Sequence, residues 1–377
     1  MATDHPSTPT ETPQPPRPVR YTPEVEQLLP NEAELLLQTG ETVLGMAQTV
    51  RRAHGHAMHA THAKAVGLLK GTLLIADDLP PELAQGLFAR PGRYDVLVRY
   101  APGPSNPVSD KASGQRGLSL KVLGVEGPHL PESRETTTQD WVLALDPAFV
   151  ASTAEDFLRT FRRFAAKSPS IPENLIVAGS RLARGAEAAL ETVGLESSNL
   201  RFFGRPPQHP ASEVYYSQAP VRYGDYIAKL AVFPTPETLA AIGDPALDTS
   251  HDDEAQRHAM QAYYTQHAGT YEVRVQLCTD LQTMPVEDAA VVWPEAQSPY
   301  RTVARLVLPP QEAYSEARRQ YVDERLAFNP VHALEAHRPL GSIMRVRTKV
   351  YIQAQDFRQQ ANGVVPAEPR SHAEVPD

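Results

Sequence analysis

The sequence is poor in cysteine, in long apolar runs and in basic charge. Its 377 residues include one cysteine, Cys278, which excludes an internal disulfide, a cysteine-ligated zinc site and an iron–sulfur cluster. The net charge of −9 argues against a nucleic-acid or anionic-membrane partner, because an acidic surface repels polyanions. No apolar run approaches the roughly 20 residues that span a bilayer, and no secretory signal is recognised. The sequence therefore predicts a soluble protein of a reducing cytoplasm.

Proline is dense at the start of the chain. Residues 1–30 carry eight of the 36 prolines and almost no apolar periodicity. Proline cannot donate a backbone hydrogen bond, so this arm is predicted to be extended or disordered. The segment 362–377 is again polar and contains proline, and we expect a flexible tail there. Residues 31–361 are predicted to form one domain.

Apolar and polar residues alternate over much of this domain, which is typical of β-strands. The alternation is clearest over 93–100 and 271–277. Eight strands joined by turn-rich segments favour an antiparallel barrel or sandwich, and the predicted class is α+β with a β-barrel core. The other strand candidates are 66–76, 117–124, 140–145, 213–219, 225–233 and 302–308.

Helical spacing follows Asn31, which has the position of an N-cap with Glu34 three residues later. Leucine, valine and alanine then recur at helical intervals up to residue 50. Helices are predicted over 32–53, 153–165 and 173–192, and after Gly341.

Arg347 and Tyr351 are four residues apart on the last predicted helix. This spacing is about one turn, so the two side chains lie on one face and can touch. A neighbouring guanidinium favours a tyrosine phenolate, and a phenolate is an axial ligand that ferric haem accepts. The alternative is an arginine on the helix surface beside a packed tyrosine, since the pattern is common.

A histidine-rich segment lies just before the first predicted strand. His62 follows Thr61, and His56 and His59 precede it at intervals of three. An imidazole can take a proton from one peroxide oxygen and return it to the other, because its ordinary pKa is near neutrality. The alternatives are a structural or surface role, and a divalent metal site formed by histidines along one side of a helix.

Motifs from one end of the domain to the other support the haem interpretation. The matches are Thr61-His62-Ala63-Lys64, Val98-Arg99-Tyr100, Arg116-Gly117-Leu118-Ser119-Leu120-Lys121, the segments 216–226, 276–280, 298–305, 328–330 and 337–341, and Arg347 with Tyr351. In this order they resemble the catalase superfamily, specifically its small members that lack the long arms and the extra helical domain. The resemblance covers residues 50–360.

The resemblance implies an antiparallel eight-stranded barrel with surrounding helices and haem b buried beside it. His62 would be the catalytic residue above one haem face. Tyr351 would bind the iron from the other face, with Arg347 as its partner, and Arg99 would neutralise a propionate. Phe157 would pack near the peroxide side, or alternatively stack with Phe161 in the core.

Four positions depart from the pattern of the large catalases. Leu145 stands where they have an asparagine that orients peroxide, and Ala101 replaces a serine that bonds the catalytic histidine. His62 is therefore expected to be less firmly oriented. His59 replaces an arginine that reaches a propionate, and is a weaker, titratable substitute. Thr61 precedes His62 where catalases have valine, which is similar to the allene oxide synthases.

These departures imply weak hydrogen peroxide dismutation, because the second peroxide is placed with less precision. The leading hypothesis is a haem peroxidase that reduces organic hydroperoxides or hydrogen peroxide with an external electron donor. One alternative is a fatty-acid hydroperoxide isomerase or lyase. Others are a haem-binding or haem-sensing protein without turnover, and a barrel that binds no haem. The expected assembly is a homodimer.

Overall fold

Alternating apolar residues form an antiparallel sheet at the centre of the fold. The computed structural model describes residues 17–165, 177–179, 182 and 205–377, apart from residues 106, 113 and 135. Within these residues the strands are β1 (Gly67–Ile75), β2 (Gly92–Pro102), β3 (Arg116–Val122), β4 (Gln139–Ala144), β5 (Tyr215–Tyr216), β6 (Val221–Tyr223), β7 (Tyr226–Pro234), β8 (Gly269–Leu277) and β9 (Arg301–Leu308).

Hydrogen bonding closes eight of these strands into a barrel. The order across the sheet is β5-β4-β3-β2-β1-β9-β8-β7-β6, and a further pairing of β5 with β7 joins the two sides. The strand β6 lies outside the ring as the hairpin partner of β7. Every strand pair is antiparallel. The predicted α+β class with an eight-stranded antiparallel barrel is confirmed.

The pleat of the strands separates an apolar interior from a polar outer face on one side of the barrel. On β2, Val98 and Tyr100 are buried in the interior core. Successive side chains of a strand point to opposite faces, so Arg99 and Ala101 point outward. Register carries this pattern to the next strand, because Arg99 lies opposite Ser119.

The described helices pack against the barrel or against one another. They are α1 (Glu32–His54), α2 (Ala154–Ala165), α3 (Pro236–Ile242), α4 (Ala255–Gln266), α5 (Glu316–Gln320), which continues as a π-helix (Tyr321–Arg325), and α6 (Ser342–Asn362). Leu35 and Val43 of α1 pack with Leu158 of α2 and with Val346 and Val350 of α6. Within the described residues, no helix combines the length and the apolar character that crossing a membrane requires.

Three of the predicted helices can be compared directly with the structure. Those over 32–53, over 153–165 and after Gly341 correspond to α1, α2 and α6. Asn31 precedes α1 as expected, but its side chain makes no capping hydrogen bond. The helix predicted over 173–192 lies largely outside the described residues.

From residue 17 onward the arm packs against the barrel, which corresponds to the extended alternative considered from the sequence. The Val19 N–H donates to the Cys278 carbonyl at 2.7 Å, and residues 23–25 form a short 3-10 helix. Proline removes only its own donor, and the residues between prolines keep theirs for the barrel. Residues 1–16 of the predicted arm lie outside the described residues.

The segment after α6 is also packed, in contrast to the flexible tail that was predicted. The Ala367 N–H donates to the Arg325 carbonyl at 3.0 Å. Val375 is buried in an apolar cluster with Leu326 and Phe328. A polar, proline-bearing composition does not reveal the single apolar residue that anchors this tail.

A buried ion pair on the outer barrel face allows a stability prediction. Lys121 Nζ lies 2.9 Å from Asp140 Oδ2, and neither side chain is exposed. Lys121→Met leaves Asp140 without its cation, which is expected to lower the free energy of unfolding by about 3–5 kcal/mol. Denaturant titration measures this change. The exposed pair Arg20–Asp225 is the control, and equal losses from Arg20→Met and Lys121→Met would contradict the prediction.

Candidate functional site

His62 lies in an irregular segment that connects α1 to β1. Its backbone has a φ of +54°, a left-handed conformation that residues with a β-carbon adopt reluctantly. The His62 N–H donates to the Gly103 carbonyl and the Ala63 N–H to the Pro104 carbonyl, both at 3.1 Å. These bonds to the residues that follow β2 stabilise the unusual backbone conformation and fix the position from which the imidazole extends.

The His62 ring is also held at its inner nitrogen. Nδ1 lies 3.2 Å from the Ala101 carbonyl oxygen, and a carbonyl can only accept, so Nδ1 carries the hydrogen and Nε2 keeps its lone pair. Burial and the nearby Arg99 charge lower the pKa of His62 to about 4, which keeps the ring neutral at physiological pH. The Ala101 backbone carbonyl thus contacts the ring nitrogen that, in the catalase-like pattern, a serine hydroxyl would bond.

A glycine on β3 makes room for this ring. A β-carbon on Gly117 would lie 2.8 Å from His62 Cε1 and 3.3 Å from the Leu143 carbonyl oxygen. Both distances are shorter than ordinary van der Waals contact. Gly117 therefore lets the imidazole lie directly against the barrel wall.

Tyr351 and Arg347 are in contact on α6, as their spacing predicts. Arg347 Nη2 donates to the Tyr351 hydroxyl at 3.1 Å. The guanidinium also lies 4.9 Å from the centre of the Phe149 ring. Arg347 thus places a positive charge next to the phenol oxygen of Tyr351.

Arg99 places a buried positive charge next to His62. It is 4% exposed, and its Nη2 donates to the His62 carbonyl oxygen at 2.5 Å. Burial lowers the pKa of the guanidinium to about 10, so it remains a cation at neutral pH. Its Nε has no hydrogen-bond partner among the described residues. A buried, charged donor without a partner is costly, so this position suits an anion such as a carboxylate.

One cavity brings the candidate side chains together. It is a small cavity, with a volume of about 40 Å³. Its floor is the outer barrel face, where Ser119 on β3 pairs in register with Arg99 on β2 and with Val142 on β4. The residues that line it are His59, Thr61, His62, Arg99, Ala101, Gly117, Ser119, Val142, Leu143, Phe328 and Tyr351.

His59 lines the cavity but does not act as a cation there. Its Nε2 lies 3.1 Å from the Val322 carbonyl oxygen. Burial, together with the charges of Arg358 and Arg99, lowers the pKa of His59 well below its ordinary value. A neutral imidazole that donates to a carbonyl is a poor replacement for an arginine that binds a carboxylate.

Two of the predicted site residues do not line this cavity. Leu145 is buried in the barrel core and is not among the described residues that line the cavity. Phe157 packs with Phe161 at a ring distance of 5.2 Å and against the cluster of Ala289 and Ile343. It too is absent from the lining of the cavity, which corresponds to the alternative considered from the sequence.

The structure does not group the histidines as a metal site. The helix α1 ends at His54, so His56, His59 and His62 do not share a helix face. In the part of the chain that the structure describes, no three histidine, cysteine, aspartate or glutamate side chains cluster as metal ligands.

The residues around the cavity fit haem better than a bare metal ion. Small side chains at Ala101, Gly117 and Ser119 leave a wall against which a flat ring can lie. The unpartnered Nε of Arg99 is available to a propionate, and Tyr351 supplies one oxygen ligand instead of the several that a bare metal ion needs.

Two useful features were missed from the sequence. Ser119 places a hydroxyl in the cavity, and the π-helix Tyr321–Arg325 supplies the carbonyl that His59 contacts. Alternation along β3 places residue 119 on the same face as Gly117, but its register against Arg99 was needed to bring it into the site. A π-helix has no clear sequence signal and often lies near functional sites.

Comparisons with known proteins found similarity in structure and none in sequence. No family model matches the chain, and no curated protein matches it. A fungal catalase superposes with a TM-score of 0.57 and 17% identity over 93% of this chain and 66% of its own. A bacterial catalase superposes with a TM-score of 0.56 and 14% identity over 93% of this chain and 64% of its own. Catalase A from Saccharomyces cerevisiae superposes with a TM-score of 0.55 and 17% identity over 93% of this chain and 68% of its own.

This chain spans about two thirds of the length of these catalases, between 64% and 68%. The similarity includes the closed antiparallel barrel and the helices around it. At 14% to 17% identity such a match establishes the fold, and activity has to be argued from the site. The chain has the catalase-type α+β fold.

Proposed function

We propose that this protein is a haem b enzyme that reduces peroxides with an external electron donor. The observation that carries the proposal is that His62 and Tyr351, from opposite ends of the domain, line one cavity together with Arg99. The catalase-type fold supports the same interpretation. The proposed compartment is a reducing cytoplasm, based on the single, buried Cys278.

Tyr351 and Arg99, which line the cavity, would hold the cofactor, and Arg347 would support Tyr351. The Tyr351 phenolate would bind the iron, with Arg347 stabilising its negative charge from 3.1 Å. Arg99 would bind a propionate through its unpartnered Nε. When bound, haem supplies a ferric iron that activates the peroxide O–O bond and accepts its oxidising equivalents.

His62 would move the proton. Its Nε2 is the free acceptor of the ring, because Nδ1 donates to the Ala101 carbonyl. It takes the proton from one peroxide oxygen and returns it to the other, which then leaves as water or an alcohol. A neutral ring, as the lowered pKa of His62 implies, is the form that can perform this transfer.

The other side chains of the cavity favour organic hydroperoxides over rapid dismutation. Val142 and Phe328 give it apolar walls that accommodate a hydrocarbon group. None of the described residues that line the cavity carries a side-chain amide to steer hydrogen peroxide. We therefore propose weak catalase activity beside a peroxidase activity that accepts larger substrates.

One observation favours a second function. Thr61 lines the cavity next to His62, and a hydroxyl at this position is similar to the hydroperoxide-converting allene oxide synthases. A fatty-acid hydroperoxide isomerase or lyase would rearrange its substrate without consuming an electron donor.

Steady-state rates on one haem-loaded preparation test these possibilities. We expect cumene hydroperoxide to be consumed only in the presence of a phenolic donor, and oxygen release from hydrogen peroxide to be slow. Turnover of a fatty-acid hydroperoxide that ignores the donor would instead establish the isomerase. A haem spectrum with no turnover of any peroxide would mean a haem-binding or haem-sensing protein.

The pH dependence of kcat/KM gives a further prediction. His62 is neutral above its pKa of about 4 and becomes an imidazolium, unable to accept a proton, below it. Activity is therefore expected to be flat through pH 5–8 and to fall with an acid limb near pH 4. Initial rates in buffers of constant ionic strength measure this limb. A limb near 6.5, the ordinary histidine value, would contradict the expected burial of the ring.

A further inference from the structure

Ser119 lies in the wall of the cavity that holds His62, and we propose that its hydroxyl is the second group that positions the peroxide. This inference rests on the proposed function. His62 offers the substrate only an acceptor, since its Nδ1 hydrogen is bonded to the Ala101 carbonyl. A peroxide has one oxygen whose proton His62 receives and a second oxygen whose lone pairs need a donor. A serine O–H can be that donor.

The position of Ser119 relative to His62 suits this role. Gly117 and Ser119 lie on the same face of β3, two residues or about 6.6 Å apart. A β-carbon on Gly117 would lie 2.8 Å from His62 Cε1, so the imidazole is directly above the first of these positions. The spacing from position 117 to position 119 is close to the length of a peroxide O–O bond with a hydrogen bond of about 2.8 Å at each end.

Ser119 is rigidly placed and uncommitted. Its strand pairs with Arg99 on one side and with Val142 on the other. No described residue donates to its hydroxyl or accepts from it. Groups on paired strands are positioned more reproducibly than groups on irregular segments.

Thr61 is the competing hydroxyl in the cavity. It belongs to the irregular segment between α1 and β1 and directly precedes His62 in the chain. The segment is held at His62 and Ala63 by backbone bonds, whereas Thr61 has no strand partner. We therefore assign the positioning role to Ser119, and Thr61 serves as the comparison.

Cyanide affinity of the haem-loaded protein tests the assignment without relying on turnover. Cyanide is a two-atom anion whose outer nitrogen accepts a hydrogen bond, so it probes the same donor. Wild type, Ser119→Ala, Ser119→Thr and Thr61→Val are first checked for the same ferric spectrum. Ser119→Ala is expected to weaken cyanide binding by about tenfold and to lower kcat/KM for hydrogen peroxide by a similar factor. Ser119→Thr, which keeps the hydroxyl, is expected to recover most of both.

The outcomes separate this inference from the proposed function. A normal spectrum with unchanged cyanide affinity in Ser119→Ala overturns the role of Ser119 and leaves the haem site intact. A loss in Thr61→Val without a loss in Ser119→Ala assigns the donor to Thr61 and also overturns it. Failure of all four proteins to take up haem overturns the proposed function itself.

Discussion

His62→Ala is expected to lower kcat/KM for hydrogen peroxide and for cumene hydroperoxide by about 10²–10⁴-fold, with the ferric haem spectrum retained. This factor is the usual contribution of a positioned general acid–base group. The reason is that Nε2 of His62 is the free acceptor of a ring fixed at Nδ1 by the Ala101 carbonyl, 3.2 Å away. Stopped-flow measurement of the first peroxide reaction, at pH 7 and constant haem occupancy, isolates this step.

The second histidine of the cavity is the control for this result. His59 is partly buried, as His62 is, but its Nε2 contacts the Val322 carbonyl oxygen at 3.1 Å. His59→Ala is therefore expected to lower kcat/KM by less than about tenfold, well below the effect of removing a general base. Equal losses in the two variants would mean that the proton-transfer role has been given to the wrong histidine.

Arg99→Leu is expected to weaken haem binding by a factor of about 30 to several thousand. This range corresponds to about 2–5 kcal/mol for truncating one partner of a buried charge pair. Arg99 is 4% exposed and its Nε has no protein partner, so the cofactor carboxylate would be left buried without its counter-ion. Transfer of haem to an excess of apomyoglobin measures the change in dissociation rate.

The haem-free protein should respond differently to the same substitution. In the haem-free protein Arg99 donates to the His62 carbonyl oxygen and interacts electrostatically with Asp323. The cost of losing these contacts is offset because a guanidinium whose Nε has no described partner is no longer buried. The unfolding free energy of haem-free Arg99→Leu is thus expected to be close to that of wild type. Arg93→Leu, on an exposed part of the same strand, is the matched control. A collapse of the haem-free protein would show that Arg99 is mainly structural.

Much of the barrel could be predicted because its long strands alternate strictly. The predicted alternation over 93–100 lies inside β2, and that over 271–277 lies inside β8. The strand β6 escaped this reasoning, and β5 was predicted only as part of the longer segment 213–219. β5 has two residues and β6 has three, so neither is long enough to show a repeated alternation. Yet the pairing of β5 with β7 is what closes the ring.

In the site, too, contacts between residues close in sequence could be predicted, whereas contacts between distant segments could not. The contact of Arg347 with Tyr351 follows from helical spacing alone. The contact of His62 with the Ala101 carbonyl could not be foreseen, because it joins two segments through backbone atoms that carry no sequence signature. Ser119 was overlooked because its place in the cavity depends on the register of three strands.

Leu145 illustrates the opposite error. It was interpreted as an apolar lining of the peroxide site from its alignment in the catalase-like pattern. The pleat of β4 instead continues inward at this point, and the side chain joins the barrel core. Val142, on the outer face of the same strand, provides the apolar contact.

Optical titration of ferric haem into haem-free protein tests the central claim most directly, with wild type and Tyr351→Phe compared side by side. We expect wild type to bind one equivalent with a high-spin, tyrosinate-type ferric spectrum, and Tyr351→Phe to lose that spectrum. If both proteins give the same spectrum, or if wild type leaves haem unbound, Tyr351 is not the iron ligand and the cavity has another purpose.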